Sequence, residues 1–190
     1  MKFGGSSVKN AERMSNVAQI IKKRLDKDPI VVVSALGGIT DKLIEAAKAA
    51  SLGEDSSNII AEIEERHYST IKDLGLDKTL IAAEMKEFRD LIAHIKKMKQ
   101  ASAETMDHVQ SFGERMSAKI LAAHMTKIGI PAEAHNAYDV GIITNDDFGN
   151  AEPLEETEEN LRKNLMKHTK APVITGFIGK NRAGKITTLG

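Results

Sequence analysis

The first fifty residues repeat one order of elements: a short strand, a pair of glycines and a helix. Residues 1–3 are predicted to form a stub of strand that runs into two glycines, and residues 10–27 have apolar side chains at helical spacing. The β-branched run at 30–33 is typical of a strand buried on both faces of a parallel sheet. A second glycine loop at 34–39 leads into another helix. This order predicts an α/β sandwich, in which ligands bind at the carboxyl ends of the strands.

One domain is expected over residues 1–190, with a helical subregion at about 57–128. Gly75 and Gly129 are expected to end helices in this subregion. The remaining predicted elements are strands at 132–135, 140–143, 172–179 and 185–189, and a polar amphipathic helix at 155–168. The chain stops where a new strand has no helix to cover it, so we expect it to be part of a longer, truncated domain.

The composition excludes several classes of protein. The absence of cysteine rules out disulfides, thiolate catalysis and cysteine-ligated zinc. The 27 basic and 27 acidic residues give zero net charge, which argues against a nucleic-acid or membrane partner. No apolar run approaches the roughly 20 residues of a membrane span and no secretory signal is visible, so a cytoplasmic location is predicted. The six histidines lack a metal-ligand spacing, and no metal site is predicted.

The first candidate site is the glycine pair that follows Lys2. Gly4 and Gly5 can bring backbone N–H groups close to an anion, and a lysine at a strand end can reach a transferring phosphate. The pattern is neither a Walker loop nor a GxGxxG loop. A glycine pair before a helix is more often a tight turn, so the residues alone leave both interpretations open.

The second candidate is the loop from Ser34 to Thr40. Thr40 or Asp41 can cap the helix that follows. The loop can equally form a small polar pocket for a carboxylate or an amino group. The residues alone do not decide between a cap and a pocket.

The third candidate lies inside a predicted helix, at Gly113 and Glu114. A glycine in a helix interior costs roughly 1 kcal/mol against alanine, which indicates that another segment approaches closely. Glu114 can bind an ammonium group, but without further context a solvated glutamate on a helix surface is favoured.

A fourth segment, residues 145–152, is dense in turn-forming residues. Asp147, Phe148 and Gly149 spell the DFG of protein kinases, but the strand lysine and the HRD loop of those enzymes are missing. We therefore interpret the segment as a turn.

Taken together and in order, these segments resemble the signature segments of the aspartokinases. The resemblance extends over the whole chain, and the ordered set is far more specific than any one piece. The matching segments are residues 2–8 (KFGGSSV), 32–40 (VVSALGGIT), 111–117 (SFGERMS), 144–153 (TNDDFGNAEP) and 173–190 (VITGFIGKNRAGKITTLG).

The resemblance implies the amino-acid kinase fold, a carbamate-kinase-like three-layer α/β sandwich with a parallel-rich sheet, here truncated and with a helical insertion. It implies ATP-dependent phosphorylation of the L-aspartate β-carboxylate, the first step towards lysine, threonine and methionine. ATP with Mg²⁺ would be the cofactor, and the full-length protein would be a homo-oligomer. Direct transfer is implied, because the carboxylate is already an anion and needs no base.

The resemblance also implies roles for individual residues. Lys2 would neutralise the transferring phosphoryl group as the catalytic residue. Glu114 would face the amino group of aspartate. The full set comprises Lys2, Phe3, Gly4, Gly5 and Ser6 for the phosphates of ATP, and Ser34, Thr40, Glu114, Asp147 and Phe148 for aspartate.

The chain also departs from the family pattern. The RGGSD segment, most of the nucleotide half and the regulatory ACT domains are absent, and the strand before Lys2 is short. We therefore expect little kinase activity from these 190 residues alone. Two alternatives stay open: another carboxylate or carbamate kinase of the same fold, and a non-catalytic binding or assembly module.

Overall fold

The structure is a computed structural model that describes residues 1–165 and 169–190. The strands are β1 (Lys2–Phe3), β2 (Val31–Val33), β3 (Ala132–His135), β4 (Ile143–Thr144), β5 (Ala171–Thr175), β6 (Ile178–Asn181) and β7 (Ile186–Thr188). The helices are α1 (Ala11–Lys22), α2 (Ile39–Ser51), α3 (Ser57–Asp73), α4 (Ala82–Met98), α5 (Ala103–Lys127) and α6 (Glu156–Leu165). No helix within the described ranges is both long and apolar enough to cross a membrane.

Four parallel strands form the main sheet, in the order β1-β2-β5-β3. Val32 pairs with Lys2 on one side and with Ile174 on the other. Val31 and Val33 are fully buried, as expected for β-branched residues inside a parallel sheet. The predicted α/β fold with a parallel-rich sheet is confirmed, and the strand order brings the carboxyl ends of β1, β2 and β5 to one edge.

A second sheet has the order β4-β6-β7, with β6 and β7 antiparallel. The single strand predicted over 172–179 is wrong, because Gly176 and Phe177 divide it into β5 and β6. Phe177 has a φ of +63°, in the left-handed region that bulky residues rarely adopt. The N–H of Ile178 donates to the Gly176 carbonyl at 2.7 Å. This tight turn moves the chain from the first sheet to the second.

Helix α5 is buried along most of its length and packs against both sheets and against α2 and α4. Its side chains Phe112, Met116 and Ile120 are fully buried in the main core. The predicted helical segment contains α3, α4 and α5. Gly75 and Gly129 follow α3 and α5 with φ values of +63° and +85°, so both helices end at left-handed glycines as predicted.

Three element boundaries differ from the predictions. Helix α1 ends at Lys22 rather than near residue 27, because the chain tightens into a 3₁₀ turn at Leu25–Lys27. The strand predicted at 140–143 begins only at Ile143, as β4, because the Ile142 N–H donates to the Ala137 carbonyl in a turn. The helix predicted over 155–168 is α6, and residues 166–168 lie outside the described residues.

Candidate functional site

A cavity of about 440 Å³ opens beside the carboxyl ends of β1 and β2. It brings together five of the residues singled out by sequence, which come from three separate segments of the chain. These residues are Lys2, Gly5, Ser34, Thr40 and Glu114. A site at the carboxyl edge of a parallel sheet is the arrangement expected for this class of fold.

The two glycine loops lie against each other in the cavity wall. A Cβ on Gly5 would lie 3.1 Å from the Ala35 carbonyl oxygen, and a Cβ on Gly37 would lie 3.2 Å from the Gly5 carbonyl oxygen. Any side chain at either position would therefore push the loops apart. The first loop continues as a 3₁₀ turn at Gly5–Ser7, and α1 begins only at Ala11.

Three residues of the first glycine segment do not line the cavity. Phe3 packs against the main hydrophobic core. Gly4 and Ser6 belong to the first glycine loop and are exposed to solvent. Within this segment the cavity is therefore lined by Lys2 and Gly5.

Glu114 is only 2% exposed, so the expectation of a solvated glutamate is wrong. Its Oε1 accepts a hydrogen bond from the Ala35 backbone N–H at 3.0 Å. Its Oε2 is buried and has no hydrogen-bond partner among the described residues. Burial raises the pKa of Glu114 to about 7, because removal from water disfavours the charged form. An unpaired buried carboxylate oxygen is a ready partner for a cation that enters the cavity.

Gly113 allows α5 to approach the second glycine loop closely. A Cβ at this position would lie 2.6 Å from the Ala35 Cβ, a distance that real Cβ atoms essentially never show. The close approach that the sequence indicated is therefore present. It places Glu114, the next residue, within hydrogen-bonding distance of the Ala35 N–H.

Ser34 and Thr40 line the cavity from the second glycine loop. The predicted cap at Thr40 or Asp41 is wrong, because the N-cap is Gly38, with φ +82° and no side-chain hydrogen bond. Thr40 instead lies in the first turn of α2. Within residues 1–165 and 169–190, neither hydroxyl has a hydrogen-bond partner, so both are free to contact a ligand.

Asp147 and Phe148 lie in a turn, as predicted for their segment, and neither lines the cavity. Asp147 is exposed and accepts a hydrogen bond from the Asn150 side chain at 3.4 Å. The turn is nevertheless a neighbour of the site, since the Asn150 side chain lies against Gly190, which lines the cavity. The contribution of Asp147 and Phe148 to a ligand stays a prediction.

Four further residues shape the site and were missed by sequence reasoning. Phe177, Leu189 and Gly190 line the cavity. Asp107 is buried and accepts hydrogen bonds from Gly149 and Thr188, which support that wall. The spacing of seven residues places Asp107 on the same helix face as Glu114, but it does not indicate contacts with Gly149 and Thr188.

The cavity wall contains one cation and one anion among the described residues, Lys2 and Glu114. Such a site can bind a small ligand that has both an ammonium group and an anionic group. Backbone N–H groups of the glycine loops can add hydrogen bonds to an anion. No three histidine, aspartate or glutamate side chains in the described part of the chain are grouped as metal ligands.

Comparisons with known proteins agree with the sequence resemblance over the whole chain. A model of the amino acid kinase family matches residues 1–190. Aspartokinase 1, chloroplastic, from Arabidopsis thaliana is 40% identical over 199 residues, which cover 100% of this chain and 35% of that protein. Aspartokinase from Chlamydia muridarum is 31% identical, with 100% of this chain and 41% of that protein covered.

Among solved structures, E. coli aspartokinase III in complex with aspartate and ADP matches with a TM-score of 0.83 and 25% identity. The match covers 100% of this chain and 42% of that chain. The fold similarity and the sequence similarity therefore point to the same group of proteins. In each comparison the chain spans less than half of the length of its relative.

Proposed function

The chain belongs to the amino acid kinase family, and we propose that the protein containing it uses ATP to phosphorylate the side-chain carboxylate of L-aspartate. The observation that supports this most strongly is that Lys2 and the buried Glu114 line one cavity, and that Oε2 of Glu114 has no hydrogen-bond partner among the described residues. The relatives with 40% and 31% identity are aspartokinases. E. coli aspartokinase III was solved with aspartate and ADP, which are the substrate and a product of the proposed reaction.

We propose that Glu114 binds the α-ammonium group of aspartate. The ligand's positive charge would compensate the buried carboxylate, whose Oε2 has no protein partner within the described ranges. The Ser34 and Thr40 hydroxyls would donate hydrogen bonds to the carboxylates of aspartate. Asp147 and Phe148 would contribute from the neighbouring turn.

We propose that the first glycine segment receives the phosphates of ATP. Lys2 lines the cavity at the end of β1, where its ammonium group can neutralise the transferring phosphoryl group. The backbone N–H groups of Gly4, Gly5 and Ser6 would bind phosphate oxygens, and Phe3 would hold the segment in place by its packing against the core.

The proposed reaction is a direct in-line transfer. An oxygen of the aspartate β-carboxylate forms a bond to the γ-phosphorus of ATP, and the bond from that phosphorus to the β,γ-bridging oxygen breaks. The products are 4-phosphoaspartate and ADP. No base is needed because the nucleophile is already an anion, so the protein's contribution is orientation and charge neutralisation.

Magnesium fits this proposal as a companion of the nucleotide. Mg²⁺ is usually held by substrate phosphates with one or two carboxylates rather than by a protein cage. That agrees with the lack of a grouped ligand set in the described residues. When bound, the ion would neutralise charge on the phosphates.

Three further expectations from the sequence stay predictions. They are the place of the reaction at the start of lysine, threonine and methionine synthesis, a homo-oligomeric full-length protein, and a cytoplasmic location. On the last point, the Arabidopsis relative is described as chloroplastic.

ADP release by the full-length protein tests the proposal, with aspartate, glutamate, N-acetylglutamate and carbamate as candidate acceptors. Of these four acceptors, we expect only aspartate to cause ADP release. We expect little turnover from the isolated 190 residues. Release with one of the other acceptors would indicate a different kinase of the same fold. A folded protein that releases ADP with none of them would favour a non-catalytic module.

A further inference from the structure

Asp107 is a buried carboxylate that accepts three hydrogen bonds. Its side chain lies in the first half of α5 and is 1% exposed. Oδ2 accepts from the Gly149 N–H at 2.9 Å and from the Thr188 N–H at 2.9 Å. Oδ1 accepts from the Thr188 hydroxyl at 2.8 Å. Hydrogen bonds to an ionised acceptor are about twice as strong as neutral ones.

The donors belong to two segments that form one side of the cavity. Thr188 directly precedes Leu189 and Gly190, which line it. Gly149 lies in the turn that continues to Ala151. The two segments are themselves joined, because the Ala151 N–H donates to the Thr188 carbonyl at 2.8 Å and the Gly190 N–H donates to the Ala151 carbonyl at 3.2 Å.

Asp107 and Glu114 lie on the same face of α5. Seven residues correspond to almost two full turns and a rise of about 10.5 Å at 1.5 Å per residue. Glu114 accepts a hydrogen bond from Ala35 in the second glycine loop, while Asp107 accepts from the segments at 149 and 188. One rigid helix therefore fixes two parts of the cavity wall through two carboxylates.

We propose that Asp107 is a positioning residue for the reaction. Its carboxylate sets the distance between the wall at residues 188–190 and Glu114, and thereby sets the size of the pocket for aspartate. This inference rests on the proposed aspartate kinase function. Asp107 does not line the cavity, so it acts on the substrate through Thr188 and the residues that follow.

The test compares three variants of the full-length protein. Asp107→Asn keeps the shape of the side chain but turns an acceptor oxygen into an NH₂ group that faces N–H donors. Thr188→Val removes only the hydroxyl donor to Oδ1. Ser102→Ala is the matched control, since it removes the N-cap of α5, where the Ser102 side chain accepts from the Thr105 N–H at 3.1 Å, without touching the wall.

We expect Asp107→Asn to raise the KM for aspartate by roughly tenfold to a hundredfold, while the KM for ATP changes little. Thr188→Val should raise the KM for aspartate by a smaller factor. Ser102→Ala should lower the melting temperature and leave both KM values unchanged. Faster hydrogen exchange at the Gly149 and Thr188 amides in Asp107→Asn would report the loosened wall directly.

A purely structural role predicts a different result. Asp107→Asn and Thr188→Val would then lower thermal stability, as Ser102→Ala does, and keep the wild-type KM for aspartate below the unfolding temperature; this result would overturn the inference. If Asp107→Asn does not fold, Thr188→Val decides the question alone. Wild-type protein without aspartate-dependent ADP release would refute the proposed function and the inference together, whereas active wild type with unchanged variants refutes the inference alone.

Discussion

Asp107 and Glu114 lie seven residues apart on one face of α5. Both accept hydrogen bonds from backbone N–H groups, which belong to different parts of the same cavity wall. Asp107 has all its donors within the protein, whereas Oε2 of Glu114 has none among the described residues. The contrast separates a carboxylate that holds the wall from one that is available to a ligand.

Glu114→Gln should change how protein stability depends on pH. The folded-state pKa of Glu114 is about 7, above the ordinary value of 4.5, so the folded state keeps a proton that the unfolded state loses. The free energy of unfolding of the wild type therefore falls as pH rises from about 4.5 to 7. The loss approaches about 3 kcal/mol above pH 7. The substituted amide stays neutral and should escape this loss, so the variant should exceed the wild type in stability at pH 8.

Urea denaturation at pH 4.5 and at pH 8 measures this difference. Glu104→Gln is a suitable control, since Glu104 lies on the same helix but pairs with Lys185 at the surface. It should show no comparable change with pH. A Glu114→Gln variant that is less stable than the wild type at pH 8 would contradict the account.

Aspartate affinity should rise as pH rises from about 4.5 to 7. The ammonium group of the ligand favours the ionised form of Glu114, so binding below pH 7 must release the proton that burial retains. The dissociation constant should fall by roughly tenfold for each pH unit well below 7. Calorimetry in buffers of different ionisation enthalpy counts the released protons. Proton uptake on binding, or none at pH 6, would argue against contact between Glu114 and the ammonium group.

Gly113→Ala should destabilise the protein although alanine is the better helix former. The new Cβ would lie 2.6 Å from the Ala35 Cβ, so either α5 or the second glycine loop must move. Overpacking of this kind costs about 1–3 kcal/mol, against a gain of about 1 kcal/mol in helix propensity. The free energy of unfolding and the aspartate affinity should both decrease.

A double-mutant cycle with Ala35→Gly isolates this contact. Removal of the Ala35 Cβ makes room for the new side chain, so Gly113→Ala should cost less in the Ala35→Gly background by about 1 kcal/mol or more. Purely additive effects would mean that the close approach of the two segments is not what requires glycine.

Local signals in the sequence predicted much of the fold. The β-branched run at 30–33 indicated β2, and strand β3 has the predicted range of 132–135. Gly4, Gly5, Gly37 and Gly38 marked the two loops correctly. These features succeed because they depend on residues that are neighbours in sequence.

Features that depend on distant contacts were missed. Gly176 breaks the predicted strand where a Cβ would lie 3.1 Å from the Val33 carbonyl oxygen, a contact set by the neighbouring strand. Asp107 binds groups 42 and 81 residues away, which no local pattern reveals. Glu114 was expected to be solvated, but it is buried against the loop around Ala35. That contact joins residues 79 apart in the sequence, so helix position alone does not predict it.

Aspartate-dependent ADP release by the full-length protein, measured for wild type and Lys2→Ala, tests the central claim most directly. Lys23→Ala is the control, because Lys23 is an exposed lysine just after α1 and away from the cavity. The account predicts release that requires aspartate, a fall in kcat of roughly a hundredfold or more for Lys2→Ala, and no change for Lys23→Ala. Undiminished turnover by a folded Lys2→Ala protein would contradict the assignment of the phosphoryl group to this cavity.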